Sequence, residues 1–403
     1  MSLLSVEDAL DRILRSANPP QLGELVGLND GLGRVLSQDI PARVTHPAFD
    51  NSAMDGYAVR HDDIATIGAE VTVIGQSAAG HGFKGELKPG EAVRIFTGAP
   101  VPSGADTVII QEDTERLPGN RVRTKFVPGK GRHIRAAGQD FTAGEAALSA
   151  GDVLDAGRLT LAAGMNHASL PVFRRPRVAI LATGDELLPP GSAPGDDQII
   201  ASNSFGVAAI ARENGAEAID LGIASDESDA IAAKIAQARA ADADVIVTLG
   251  GASVGDHDLV QSTLLACGMT LDFWRIAMRP GKPLMVGQLG TATVLGLPGN
   301  PVSSLVCSLL FLEPLLRKLA RLPGRERMAT ARLASPLPAN DLRQDYVRAR
   351  LSRADDGSLI AHPFSRQDSS MMKVFAQSDC LIVRAPFAPE APAGGACDIL
   401  RLR

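Results

Sequence analysis

Two carboxylates follow an apolar run in LATGDEL, where Asp185 and Glu186 come directly after residues 178–183, and two more, Asp256 and Asp258, close the glycine loop GGASVGDHD at 250–258. Carboxylates so placed suit a magnesium ion, which takes one or two protein carboxylates and completes its shell with substrate phosphate oxygens and water. Asp185 has the alternative of capping a helix. Cations stand nearby in the chain. AMRPGKP at 277–283 supplies Arg279 and Lys282 for oxyanions. GLPGNPVSS at 296–304 contains Pro298, then Asn300 at a helix cap, Pro301 at the first helical position and Ser303 behind it. Free N–H groups and the helix dipole favour an anion at such an end. The glycine loop, with Ser253 and Gly255 as its candidate substrate contacts, lacks the GxxxxGK[ST] of a nucleoside triphosphatase. Together these loops describe a site for a phosphorylated anion and a divalent metal.

Three further constellations lie earlier. FDNSAMDGYA at 49–58 carries Asp55 and, taken alone, reads equally well as an ordinary Asx-rich turn. Thr97 and Gly98 stand at the end of a strand-like run in VRIFTGAPVPSGADTVIIQED, which closes on Glu112 and Asp113; HIRAAGQDF at 133–141 carries Asp140. The seven histidines are isolated, so His257 reads as an outer or surface group and not as a metal ligand. The four cysteines, Cys267, Cys307, Cys380 and Cys397, form no CxxC pair and read as buried thiols in a reducing compartment.

Elements that could position these loops are legible in the pattern. Between residues 174 and 322 apolar strands alternate with helical stretches: 178–183, a helix over 204–214, the strand AIDLGIA, a helix over 227–241, strands over 244–251 and 293–299, and a helix over 301–320. That alternation predicts a doubly wound parallel sheet, whose ligands lie beyond the carboxyl ends of the strands, where ATGDE, GGASVGDHD and GLPGNP fall. Residues 45–140 form short β-rich runs broken by Gly and Pro, read as a β-rich domain inserted into a small helical one made of 1–44 and 141–173. A capped amphipathic helix begins after Ser5, and a second helical patch at 157–163 is its expected packing partner. Residues 323–403 read as a C-terminal β domain, and 174–322 as the α/β domain.

Bulk properties exclude several classes. With 46 acidic against 40 basic residues among 403, the net charge is only −6, so no basic field exists to hold nucleic acid or an anionic membrane. Aromatic content is 4% with one tryptophan, too sparse for a base-stacking platform. The apolar stretch at 305–316 is too short to span a bilayer, and the N-terminus lacks a signal-peptide core. A cytoplasmic protein is expected.

The ordered set FDNSAMDGYA, RIFTGAPVPSGADTVIIQED, LATGDEL, GGASVGDHD, AMRPGKP and GLPGNPVSS resembles the molybdopterin molybdenumtransferases, the family that includes the C-terminal domain of gephyrin, from about residue 5 to the C-terminus. The resemblance implies an elongated homodimer of four-domain subunits. It implies a third domain similar to the molybdopterin adenylyltransferases, and a reaction in which molybdate and adenylated molybdopterin, with magnesium, yield molybdenum cofactor and AMP. Adenylyltransferase and cofactor-maturation proteins are the protein partners it suggests. The family's functional positions that match are Asp55, Thr97, Asp140, Glu186, Asp226, Asp258, Lys282, Pro298 and Pro301. Arg348 in QDYVRARL and Ser369 or Ser370 in QDSSMM fall where the family's C-terminal domain approaches molybdate. Two positions depart from the pattern: Arg279 stands where lysine is common and Gln139 where glutamate is common. A scaffold role and a simple adenylyltransferase are the competing readings; the intact charged set and the β-rich 45–140 segment argue against them respectively.

Overall fold

The computed structural model describes residues 3–250 and 259–402, and the chain divides into two compact units. One comprises residues 25–32 and 36–172. Its six-stranded sheet has the order Thr107–Ile110, Gly56–Val59, Glu91–Ile95, Glu70–Ser77, Arg121–Thr124, Thr114–Leu117. The strand Gly56–Val59, second in that order, is buried along its whole length. Tyr57, Val59, Val71, Ala92 and Ile109 fill one face, Ala58, Ile95 and Val108 the other, as the two-residue side-chain period of a strand requires. A second core gathers Leu36, Phe141, Leu148, Ala162 and Met165 around the helix Ala156–Gly164, whose first turn is capped by Asp155 accepting the Arg158 N–H at 2.8 Å.

The other unit, residues 1–24, 33–35 and 173–403, contains the α/β sheet and the C-terminal β domain. The α/β sheet runs Glu217–Ala224, Arg177–Thr183, Val245–Leu249, Ala292–Leu297, Pro283–Leu289, Thr270–Arg275. The first four strands are parallel, as the alternation predicts; the last two join antiparallel, which the sequence reading did not anticipate. The helices Asn203–Glu213 and Ser228–Ala240 fall within a residue of their expected limits. The long helix starts at Pro301 and contains a π-turn at Ser308–Leu312 before Glu313–Leu319. Pro314 explains the irregularity, since it has no N–H for the preceding turn.

The helix Val6–Ser16 differs from expectation. It buries Ala9 and Ile13 in the same core as Leu315, Leu316 and Leu319, whereas Ala156–Gly164 belongs to the other unit. Its amphipathic face requires an apolar surface but does not specify which one.

In the C-terminal domain Gln344–Arg353 pairs with both Leu359–Pro363 and Cys380–Arg384, which closes the strands into a small barrel around Ala349, Ala361, Ile382 and Ile399. The short strand Met278–Arg279 leaves the α/β sheet to pair in parallel with this barrel, setting Arg279 opposite Asp345. A buried ion pair fastens the junction. Arg327 donates to both carboxylate oxygens of Glu313, at 2.6 and 2.7 Å, and its remaining N–H group reaches the carbonyls of Arg401 and Leu402.

Candidate active site

Residues at the ends of three strands of the α/β sheet, from the ATGDE and GLPGNP loops and from Leu249 and Gly250, line a cleft of about 1050 Å³. Glu186, Asp226, Lys282, Pro298, Asn300 and Pro301 all line it. Glu186 reaches the cleft because Gly184, at φ +146°, turns the chain immediately after its strand, and because Gly184 has no side chain. A Cβ there would fall on the Glu186 carboxylate, with the Cδ 2.8 Å away. Asp185 caps no helix; its carboxylate accepts the Asp226 N–H at 3.0 Å and so holds a second acidic loop beside the first. Glu186 and Asp226 are exposed carboxylates on one wall, a donor set that fits a magnesium ion completed by phosphate oxygens. Ser253, Gly255 and Asp258 lie outside the described residues. Among those described, no group of three or more His, Cys, Asp or Glu side chains is arranged to hold a metal.

The cationic side is organised differently from the expectation. Lys282 lines the cleft, exposed, with no ion pair among the described residues. The start of the Pro301–Cys307 helix, expected to offer free N–H groups, is partly covered. Pro301 has none, and the Val302 N–H donates to the Ser369 carbonyl at 3.1 Å. Asn300 makes no side-chain cap; its amide donates instead to the Ser369 hydroxyl at 3.0 Å. Ser303 is buried behind them, and Ser370 lines the cleft itself.

Arg279 is three residues from Lys282 but faces a second cavity, of about 660 Å³, in the C-terminal domain. It was expected as a free cation, and it is not. Its guanidinium forms a two-pronged pair with the Asp345 carboxylate, one arm at 2.6 Å, with Asp341 at 3.4 Å, and this pairing raises its pKa. Among the described residues the cation of this cavity without an ion pair is Arg348. It is 1% exposed, yet none of its three guanidinium nitrogens has a hydrogen-bond partner among the described residues. Burial lowers its pKa against the partial compensation of Asp368. Gln367 holds its backbone like a strand partner, accepting the Arg348 N–H at 2.9 Å and donating to its carbonyl at 3.0 Å. Between the two cavities Gly281, at φ +115°, turns over the buried Cys307 sulfur.

In the β-rich unit the structure brings Asp55 and Thr97 together. The Thr97 N–H and hydroxyl both donate to one carboxylate oxygen of Asp55, each at 2.8 Å, which leaves the other oxygen free of those two bonds. The Thr97 N–H foremost, then its hydroxyl, hold the Asp55 carboxyl below the usual aspartate range. Arg94 contributes to the same end, and the sequence reading missed it. It stacks at 5.0 Å over Tyr57 and 5.1 Å over Phe96 while donating to the Gly56 carbonyl and to Gln111. Its place between two aromatic residues in the FDNSAMDGYA and RIFTGAP runs was the available signal. Asp140 is not drawn into this group; its N–H donates to the His46 carbonyl at 3.1 Å, and its carboxylate makes no hydrogen bond among the described residues.

The chain matches, in order, the family descriptions "MoeA N-terminal region (domain I and II)" over residues 4–165, "Probable molybdopterin binding domain" over 179–318 and "MoeA C-terminal region (domain IV)" over 330–402. A molybdopterin molybdenumtransferase of Nostoc sp. is 39% identical over 341 residues, covering 82% of this chain and 78% of that protein. One from Haemophilus influenzae is 34% identical over 387 residues, 94% of each chain. The crystal structure of a molybdopterin biosynthesis MoeA protein from Pyrococcus horikoshii matches the full length of both chains with a TM-score of 0.84 at 29% identity. With identity of this level sustained over nearly its whole length and on the same architecture, the chain belongs to the molybdopterin molybdenumtransferase family.

Proposed function

We propose that this chain inserts molybdate into adenylated molybdopterin, releasing AMP and forming molybdenum cofactor. The observation that carries the reading is the pairing of two cavities along one loop: a cleft with carboxylates and Lys282 at the strand ends, and beside it a cavity lined by Arg348, which is buried and has no hydrogen-bond partner among the described residues. The first has the chemistry for a pterin phosphoanhydride, the second for a small oxyanion.

In this reading Glu186, with Asp226 close by and Asp258 outside the described residues, holds magnesium. The bound ion supplies charge neutralisation of the anhydride and polarisation of its phosphorus. Lys282 offsets the repulsion between two anionic substrates. No protein nucleophile is needed, since the sulfur ligands come from the substrate's dithiolene. The buried Cys307, whose thiol is pushed up to about 12, is unsuited to the role of nucleophile. The Asp55–Thr97 pair, Asp140, and the serines Ser253, Ser303 and Ser369 are proposed as further contacts of the reaction.

The same reading includes a cytoplasmic homodimer that exchanges substrate with adenylyltransferase and maturation proteins, of four-domain subunits divided at 1–44 with 141–173, 45–140, 174–322 and 323–403, with the helix Val6–Ser16 packed on the α/β domain. No helix among the described residues is long and apolar enough to cross a membrane. The test is AMP release from adenylated molybdopterin on adding molybdate. The reading expects release to require magnesium, and Lys282→Ala to raise the molybdate concentration needed more than it weakens pterin binding. Release that ignores both molybdate and magnesium would overturn it.

A further inference from the structure

Arg279 and Asp345 lie opposite one another because Met278–Arg279 pairs in parallel with the first residues of Gln344–Arg353. Side chains of such neighbours stand on the same face, and here they meet as a fork on a carboxylate. Both line the C-terminal cavity that Arg348 enters. Asp341, the other acid near Arg279, is already committed: it accepts the Arg343 N–H at 2.9 Å and the Arg343 guanidinium at 3.0 Å. The Asp345 charge is therefore free to cancel that of Arg279. Arg348, with no hydrogen-bond partner on any nitrogen among the described residues, has its charge offset only in part, by Asp368.

We propose that Asp345 is a specificity-determining residue which sets the oxyanion affinity of this cavity, by neutralising Arg279 so that the cavity offers one effective cation and not two. The inference rests on reading the cavity as the molybdate subsite. Its chemical logic is that molybdate is a substrate to be handed on to the dithiolene sulfurs. Extra ground-state attraction would tighten binding without accelerating transfer. The bidentate pair keeps a strong cation in place for the fold of the loop while withholding it from the dianion.

The test is equilibrium binding of molybdate to the purified full-length protein without pterin, at low and high ionic strength. Asp345→Asn keeps shape and removes the cancelling charge, so molybdate should bind roughly three- to tenfold tighter at low salt, with the gain shrinking as salt rises. In turnover, the molybdate KM should fall while kcat does not rise. Arg279→Gln leaves the Asp345 carboxylate uncancelled beside the anion and should weaken binding by a similar factor. The double variant Arg279→Gln with Asp345→Asn should return close to the wild type. A purely structural role predicts that both single variants bind more weakly and that the double is no better, and that pattern refutes the proposal, as does an Asp345→Asn variant that binds as the wild type does. If Asp345→Asn does not fold, Arg279→Gln against the double variant gives the same decision. Arg348→Met is the control for the underlying reading: if it binds molybdate normally, the subsite assignment falls, and if it loses binding while Asp345→Asn is unchanged, only the present inference falls.

Discussion

The Ser369 carbonyl accepts the Val302 N–H at 3.1 Å, so a turn of the C-terminal domain sits on the first open amide of the helix that begins at Pro301. The turn is shaped by Asp368, whose carboxylate accepts the Ser370 N–H at 2.8 Å and its hydroxyl at 2.7 Å. Because a main-chain oxygen makes the contact, Ser369→Ala should keep it and lose only the bond to Asn300. Asp368→Ala removes the turn's scaffold, and hydrogen exchange at the Val302 amide should then quicken by about two- to tenfold, the worth of one such bond. Equal protection at Val302 in both variants would mean that the turn is held by something else.

Gly184→Ala isolates the geometry of Glu186. The added methyl meets the Glu186 carboxylate and the backbone stands at φ +146°, so the variant carries both strain and a displaced acid. Gly222→Ala is the comparison: φ is +74° there and nothing lies within 4 Å of the new atom, leaving strain alone. Each should lose about 1–3 kcal/mol of stability from the backbone term. Only Gly184→Ala should also slow AMP release per folded molecule, by on the order of 10² if a charge-stabilising group has moved. Matching turnover in the two variants would show that the position of Glu186 is unimportant.

Much of this was legible locally. The ATGDE turn with Glu186, and Asn300 with Pro301, were readable because each lies within a few residues just past a strand, where glycine and proline have direct conformational meaning. What escaped depends on distant chain segments. The Arg279–Asp345 fork joins positions 66 apart and exists only because of strand register, so the sequence offered Arg279 as a free cation. The cover on Val302 likewise needs residue 369 to fold back onto residue 302. The two antiparallel strands Thr270–Arg275 and Pro283–Leu289 went unseen because they flank the AMRPGKP motif, which was read for its charges alone. Gln367 opens the QDSSMM run, which was read for its serines, and its role appears only through the backbone of Arg348.

Asp341 gives the fold a titratable clasp. Hydrogen bonds from the Arg343 side chain and backbone, with Arg279 nearby, pull its carboxyl down to about 2 from an ordinary 3.8. A depressed carboxylate pKa stabilises the folded state fully above the unfolded value, and the contribution disappears as pH falls through the folded one. Asp341→Asn should therefore melt below the wild type by a constant margin at pH 5 and above. The margin should narrow between about pH 4 and pH 2. Melting curves of the two proteins across that range check it, and a margin that grows on acidification has the wrong sign.

Arg348 offers the sharpest contrast between stability and function. A guanidinium 1% exposed with no hydrogen-bond partner among the described residues is a cost to the folded state, because desolvation of the charge is offset only in part, by Asp368. Burial accordingly lowers its pKa. Methionine matches its length and flexibility without the charge, so Arg348→Met should fold as well as the wild type or gain up to about 1–4 kcal/mol, as when buried charges give way to apolar side chains. Molybdate binding and AMP release should nonetheless collapse, since the variant removes the cavity's unpaired cation. Arg348→Lys keeps a charge but not the planar fork, and an intermediate loss is expected. Thermal melting and molybdate titration on one preparation separate the outcomes. If Arg348→Met is both destabilised and functional, the arginine serves packing, and the oxyanion reading of this cavity is wrong.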